Sequence, residues 1–419
     1  MLRRDFLSRI ASAGVYAVAP LIQARPRTLR VGIAGGGIVG ASIAYHLAQA
    51  GASVTLFEKG QPASGATQNS FAWLNAFVDD PRYRTLRLQS LMAYHDLDRR
   101  LRLGIVWGGY INWAASAAQV ETLRANAAQL VGTADPVRPL DAAELRALAP
   151  ALAPGAVAAA FFSRIDGHLN PLQVTQQFLA AARKHGATVR LQCEVQELDL
   201  KGGVLAGVKT SHGPVPLDRL VIAGGVDTPA LAAMAGLDLR LRHAPGILAH
   251  SRPMAAVTPI IFDGPGTLSF KQMADGSVVG TDSPDPPDIP AHRDIRAHAI
   301  PFPDEALRTL HGNRILGKIA AVLPASRGAA LDRLTLGFRP MPLDEFPVVG
   351  SLAGAPDVYV AVMHSGVTLA PIIGRYVTHE VLSGSRVEAL APFRPERFAR
   401  MAGQATAVPA RRAATPTPH

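Results

Sequence analysis

An α/β fold is what the sequence predicts, and three observations carry it. A short apolar run, Leu29–Ala34, passes directly into Gly35-Gly36-Gly37-Ile38-Val39-Gly40. A helix-spaced stretch, Ala41–Ala50, is closed by Gly51 and followed by a second apolar strand, Ser53–Phe57, with an acid, Glu58, at its end. Third, 48% hydrophobic against 18% charged residues is the make-up of a chain with a large buried core, and 419 residues is long enough for two or three lobes with a cleft between them.

Each element of the opening unit has a physical reason. The spacing Gly35, Gly37, Gly40 supplies a tight turn, a backbone that can approach a pyrophosphate, and close packing of helix on strand, which is the Rossmann pattern. The amides of Ile38 and Val39 open the helix, where the dipole favours an anion. Glu58 stands 18 residues past Gly40, close to the roughly 20 expected of the acid that accepts hydrogen bonds from the adenosine ribose. An acid there disfavours a ribose phosphate, so FAD or NAD is preferred over NADP. A βαβ unit without a nucleotide is the alternative, and the full order of strand, glycines, helix, strand and acid weighs against it.

The segment before this unit reads as an address. Residues 1–26 combine a basic start, a mildly apolar stretch from Ile10 to Ile22 and small residues, too short and too weakly apolar for a transmembrane helix. Arg3-Arg4-Asp5-Phe6-Leu7 matches a twin-arginine export motif, so a periplasmic or exported protein is expected, with a chance basic N-terminus in a cytoplasmic protein as the alternative.

Charge and cysteine content exclude several classes. The net charge of +10 is carried mostly by arginine, and the arginines are scattered without a basic–aromatic patch, which argues against nucleic acid as a partner. A single cysteine, Cys193, rules out an internal disulfide and thiolate-based metal sites, so no metal is expected.

After Glu58 the chain runs Gln61–Phe71 as QPASGATQNSF, small and hydroxylated residues suited to close backbone contact with a second phosphate region. Further on come Gly167-His168-Leu169-Asn170-Pro171, a helix to about His185, and Val189–Glu197, within which Cys193 reads as part of an apolar strand. Asn170 before Pro171 is a natural helix cap. Leu220–Gly225 is an apolar strand ending in small residues, and Thr267–Phe270 with Val278–Gly280 around Asp275-Gly276 is a hairpin. Ser283–Pro290 carries four prolines and reads as a surface loop. The C-terminal block is Gly337-Phe338-Arg339-Pro340, then Pro347-Val348-Val349-Gly350, then His364-Ser365-Gly366-Val367-Thr368-Leu369-Ala370-Pro371.

Taken in order, these blocks resemble the D-amino-acid oxidase family of FAD-dependent oxidoreductases, which contains glycine and sarcosine oxidases and D-amino-acid dehydrogenases. One departure is Met363, where the family has glycine before the histidine. The resemblance implies FAD as cofactor and a Rossmann-type FAD-binding lobe from residues 27–92, 155–235 and 335–392. It implies a discontinuous α+β substrate lobe from 93–154 and 236–334 built on an antiparallel sheet. Residues 393–419 lose periodicity in favour of Ala, Pro, Arg and Thr and read as a mobile tail. It places Lys59, Ala66, Thr67, Asn69, Ser70, Val195 and Gly224 against the cofactor, and the amides of Gly366, Val367 and Thr368 at the flavin. Thr368 as a simple helix cap is compatible with that.

Two residues are expected to touch substrate. Arg339 has the fork that matches a carboxylate, and the resemblance gives it that task; a structural arginine bridging the lobes is the alternative. His364 is a cofactor contact or proton acceptor, or equally a packed histidine, while His243 and His250 receive no role. The resemblance implies oxidation of the C–N bond of an amino acid or secondary amine to an imine by hydride transfer to flavin N5. Oxygen, a quinone or a carrier protein would take the electrons. Oxidation of a non-amine such as a hydroxy acid, or a flavin-binding protein without turnover, are the rival readings.

Overall fold

A computed structural model of the chain describes residues 28–130, 137–265, 267–282 and 304–398. The twin-arginine segment, the proline-rich stretch Ser283–Pro290 and residues 399–419 lie outside the described residues.

The glycine-flanked unit forms as its pattern requires. Strand Arg30–Ala34 runs parallel to Ser53–Phe57, with helix Ile38–Gln49 between them in sequence. The helix starts earlier than its apolar spacing indicates because Gly37 is its N-cap. Both strands sit inside a six-stranded sheet ordered Val348–Leu352, Ala355–Val362, Arg219–Ile222, Arg30–Ala34, Ser53–Phe57, Thr188–Arg190. All neighbours are parallel except the first pair. Such a sheet must bury both faces, and side chains alternate accordingly. Ile33 and Val221 join a core shared with helices Ile38–Gln49, Pro171–Lys184 and Gly366–Ser383, whereas Leu220 and Ile222 join one shared with the three-stranded meander Val195–Lys201, Val204–Thr210 and Gly213–Pro216. Two of these helices approach to backbone distance: a Cβ on Gly374 would lie 2.5 Å from Ser42 Oγ and His46 Nδ1.

The second lobe is an eight-stranded sheet ordered Leu331–Phe338, Pro245–Ser251, Val278–Thr281, Ser269–Gln272, Ile261–Asp263, Tyr110–Ala114, Ala159–Ser163, Val137–Leu140. The expected hairpin is its centre, with Gly276 at φ +88° in the turn. The sheet is mixed, not purely antiparallel, because Ile261–Asp263 and Tyr110–Ala114, distant in sequence, pair in parallel. Helix Glu305–Val322 packs Ile315 and Ile319 into a core with Ile247, Phe262 and Phe270.

Several expected boundaries shift. Residue 92 falls inside the helix Pro81–Leu101, which Asp80 caps and which ends only at Arg102 in the left-handed region. Residue 155 precedes Ala159–Ser163, which still pairs with Tyr110–Ala114 in the eight-stranded sheet. Residue 335 lies within Leu331–Phe338, which stays in that sheet to its last residue. The tail does not begin at 393: Phe393, Arg394 and Phe398 are buried. The reason is electrostatic, since Arg394 grips Glu380 at 2.5 and 2.7 Å, and Glu380 also accepts from Tyr359 Oη (2.6 Å) and the Val387 amide (2.6 Å). The run Val189–Glu197 breaks into strands of two different sheets, leaving Cys193 in the link between them, where its amide donates to Glu58 O at 2.9 Å.

Candidate active site

A cleft of about 1740 Å³ is lined from both lobes. Of the expected site residues only Gly40 is absent from its walls, and its task is packing: a Cβ there would stand 2.1 Å from Gly35 O.

One end is built to hold a dinucleotide. Gly35 has φ +117°, and a Cβ on it would be 2.4 Å from Ala223 O, so the strand Arg219–Ile222 and the first turn touch here. Gly37 caps the helix without any side-chain bond, which leaves the N-terminal end turned to the cleft for an anion. The Ile38 amide donates to Thr67 Oγ1 at 3.2 Å, fastening the small-residue segment to the helix start. Glu58 is fixed at both oxygens, by the amides of Gly36 (2.7 Å) and Gly60 (2.7 Å), and each oxygen keeps a lone pair for a ribose hydroxyl. Lys59 and Asp227, both in the wall, form an ion pair at 2.9 Å. Val195 and Gly224 line the same end. Ala66 lines the middle with Asn69, whose amide closes onto Gly65 O (3.0 Å), and Ser70, whose Oγ accepts from the Ala72 amide (3.0 Å). This combination of a helix start in the cleft wall, glycine approach and fixed acid fits FAD.

The other end is made where a second helix, Gly366–Ser383, begins. A Cβ on Gly366 would be 3.0 Å from Val39 Cγ2, so the starts of the two helices adjoin. Thr368 lies inside the helix and is not its cap; its Oγ1 donates to Trp73 O at 3.1 Å. The helix contains Pro371, which cannot donate to Val367 O, and the buried Tyr94 hydroxyl does so instead at 2.5 Å. Burial holds the Tyr94 phenol well above its usual range, so it stays a donor.

Arg339 follows the edge strand Leu331–Phe338 and lies against the start of its neighbour Pro245–Ser251. Its amide and Nε donate to Ala244 O (2.9 and 3.2 Å) and Nη2 to Pro245 O (3.1 Å), which fixes the plane of the guanidinium in the cleft wall. Gly337 two residues earlier is required by contact: its Cβ would lie 2.5 Å from Asn69 Cβ. His364 lines the cleft with Nδ1 3.3 Å from Ser365 Oγ. Away from the cleft, Asn170 caps its helix by accepting from the Gln173 amide at 3.1 Å.

Two features of the cleft wall are not legible in the sequence. Trp73 lines the cleft and donates through Nε1 to the fully buried Asp166 at 2.7 Å, while Ser163 Oγ donates to the other carboxylate oxygen. Burial raises Asp166 to about 7. Arg87, on helix Pro81–Leu101, is buried in the cleft wall and reaches Ser365 Oγ at 2.5 Å. The available signal was the spacing Arg87, Ser90, Tyr94, one helix face carrying polar groups among buried Leu86, Leu91 and Leu97.

Among the described residues no helix is long and apolar enough to cross a membrane, and no cluster of His, Cys, Asp or Glu is arranged to hold a metal.

Comparison with known proteins agrees with the geometry. Over 370 residues, 86% of the chain, it is 28% identical to 4-methylaminobutanoate oxidase (formaldehyde-forming) of Paenarthrobacter nicotinovorans, of which it spans 44%. The chain thus spans less than half the length of that relative. Glycine oxidase of Geobacillus kaustophilus is 27% identical over 377 residues, covering 87% of this chain and 95% of the relative. Among solved structures, L-proline dehydrogenase from P. horikoshii superposes with a TM-score of 0.75 at 22% identity, covering 90% of this chain and 99% of that one, a likeness of fold. The family model for FAD dependent oxidoreductases matches residues 30–380, and the chain belongs to that family of FAD-dependent enzymes.

Proposed function

We propose that the protein oxidises the C–N bond of an amine bearing a carboxylate, an amino acid or N-substituted amino acid, to an imine that water then hydrolyses. The observation that carries this is Arg339, whose fork is fixed by the carbonyls of Ala244 and Pro245 in the wall of the cleft that holds the cofactor. A guanidinium whose plane is set in advance offers a carboxylate two parallel bonds with little ordering cost. Bound FAD supplies the two-electron acceptor, and the residues supply orientation. Arg339 fixes the carboxylate, Trp73 walls the substrate side, and the start of helix Gly366–Ser383 presents its positive end. His364 stands where it can contact substrate or cofactor. Glycine oxidase among the relatives supports a small amino-acid substrate.

The test is the visible spectrum of the holoprotein under anaerobic addition of glycine, sarcosine, D- and L-amino acids and simple amines. Bleaching of the flavin band by a carboxylate-bearing amine is expected. A yellow protein bleached by none of them, but by a hydroxy acid, would overturn the amine reading. Reoxidation by oxygen, a quinone or a carrier protein then distinguishes an oxidase from a dehydrogenase. The Arg3-Arg4 motif supports export as a folded holoprotein. Arg3→Lys with Arg4→Lys should abolish periplasmic activity, and activity still exported by that variant would remove the claim.

A further inference from the structure

We propose that Arg87 is the fixed positive charge that compensates the negative charge left on the redox ring of the flavin when it is reduced. The inference rests on the reading above only for the identity of the reductant; the charge effect is measurable without any amine.

The guanidinium is held by neutral partners alone, among them the Tyr83 ring, whose centroid lies 4.6 Å from Cζ. Nη1 donates to Asn75 Oδ1 (2.9 Å) and Phe77 O (3.1 Å), and Nη2 to Ser365 Oγ (2.5 Å) and Tyr83 Oη (3.4 Å). Arg87 is 8% exposed, and its Nε is buried without a partner. Among the described residues no carboxylate pairs with it, in contrast to Arg394 with Glu380 and Arg397 with Asp344. A buried cation left without a counter-charge is costly unless a ligand completes it. The fold keeps this cost in the wall of the cleft.

Its position says which part of the ligand it meets. Glu58 marks the adenosine ribose and the start of helix Ile38–Gln49 the pyrophosphate. Gly366 adjoins Val39 at that same helix start, so the remaining half of the dinucleotide extends past Val39 toward Gly366, and Ser365 next to it is what Arg87 holds. The cation and the positive end of helix Gly366–Ser383 therefore act on the same group. The substrate gives up two electrons and two protons. Both electrons and one proton enter the ring and the other proton leaves to water, so the ring acquires one net negative charge, which is the charge Arg87 offsets.

The test is a reductive titration of the holoprotein against a reference dye. Arg87→Gln should lower the midpoint potential by about 30 mV or more, a tenfold shift of a two-electron equilibrium. Arg87→Lys should retain more than half of the wild-type advantage. Asn75→Asp places a carboxylate against the unaltered guanidinium and should shift the potential in the same direction as Arg87→Gln; it decides the matter if Arg87→Gln does not take up FAD. Wild-type potentials in both Arg87→Gln and Asn75→Asp would overturn the proposal. So would an unmoved potential with a raised KM, which would assign Arg87 to substrate, or equal shifts in the Lys and Gln variants, which would make its role geometric.

Discussion

The Tyr94 hydroxyl donates to the Val367 carbonyl at 2.5 Å, and Pro371, four residues further along the same helix, is the residue that cannot. A side chain from helix Pro81–Leu101 thus completes the first turn of the helix that begins in the cleft wall. Ser90, one turn from Tyr94 on the same face, accepts from the Ile372 amide at 3.5 Å and serves the next position of the same interrupted ladder.

Tyr94→Phe should therefore leave a buried carbonyl unpaired and cost about 1–3 kcal/mol. Thermal unfolding of the holoprotein will show it, together with weaker FAD retention. Restoring the missing N–H with Pro371→Ala in the Tyr94→Phe background should shrink the penalty. Equal penalties with proline and alanine at 371 would refute the substitution of hydroxyl for amide.

Arg339→Ala should leave the flavin spectrum in place and raise KM for a carboxylate substrate. Loss of a bidentate partner costs about 2–5 kcal/mol, roughly 30-fold to a few thousand-fold. Arg339→Lys keeps the charge but not the fork and should recover only part. Steady-state kinetics on the substrate identified by flavin bleaching decide it.

Asp166 makes stability depend on pH. Its carboxyl is raised to about 7 by burial, while an unfolded aspartate titrates near 4, so the native state holds the extra proton between those values. The stability this contributes is complete below about pH 4 and is lost as pH rises through about 7, at no more than about 1.4 kcal/mol per pH unit. Asp166→Asn should flatten that part of the melting-temperature profile. Asp263, raised to about 6 by its own burial, keeps a residual slope in the same direction. An unchanged slope in the Asn variant would show that Asp166 is already charged in the native protein.

Arg394→Leu should cost about 3–5 kcal/mol, because it strands the buried Glu380 carboxylate. Urea unfolding measures this directly. A loss within 0.5 kcal/mol, the size of an ordinary surface change, would mean that Tyr359 and the Val387 amide suffice.

What could be read before the structure was local. Gly35, Gly37, Gly40 and Glu58 are separated by one helix and one strand, so spacing alone fixes their geometry, and Asn170 as a cap is decided within four residues. That Arg339 and Gly366–Thr368 line one cleft was legible because their neighbours form an ordered motif. What escaped depends on pairings across the chain. Nothing near Asp166 in sequence announces Trp73, 93 residues away, and nothing near Arg87 announces Ser365, 278 residues away. The lobe boundaries escaped for a related reason: Leu331–Phe338 is an ordinary strand pattern, and only its partner Pro245–Ser251 tells which sheet it joins.

That strand has one more consequence. Gly337 rests on Asn69 in the cleft wall, and Arg339 is two residues beyond it on the same stretch of backbone. The backbone that carries Arg339 is therefore set directly against the segment that contains Asn69. Under the proposed function, a carboxylate seated on Arg339 places the bond to be broken a constant number of atoms from that contact. Remodelling other parts of the cleft wall would change which side group is admitted while leaving that backbone contact untouched, so this scaffold lends itself to new selectivities without rebuilding its redox apparatus.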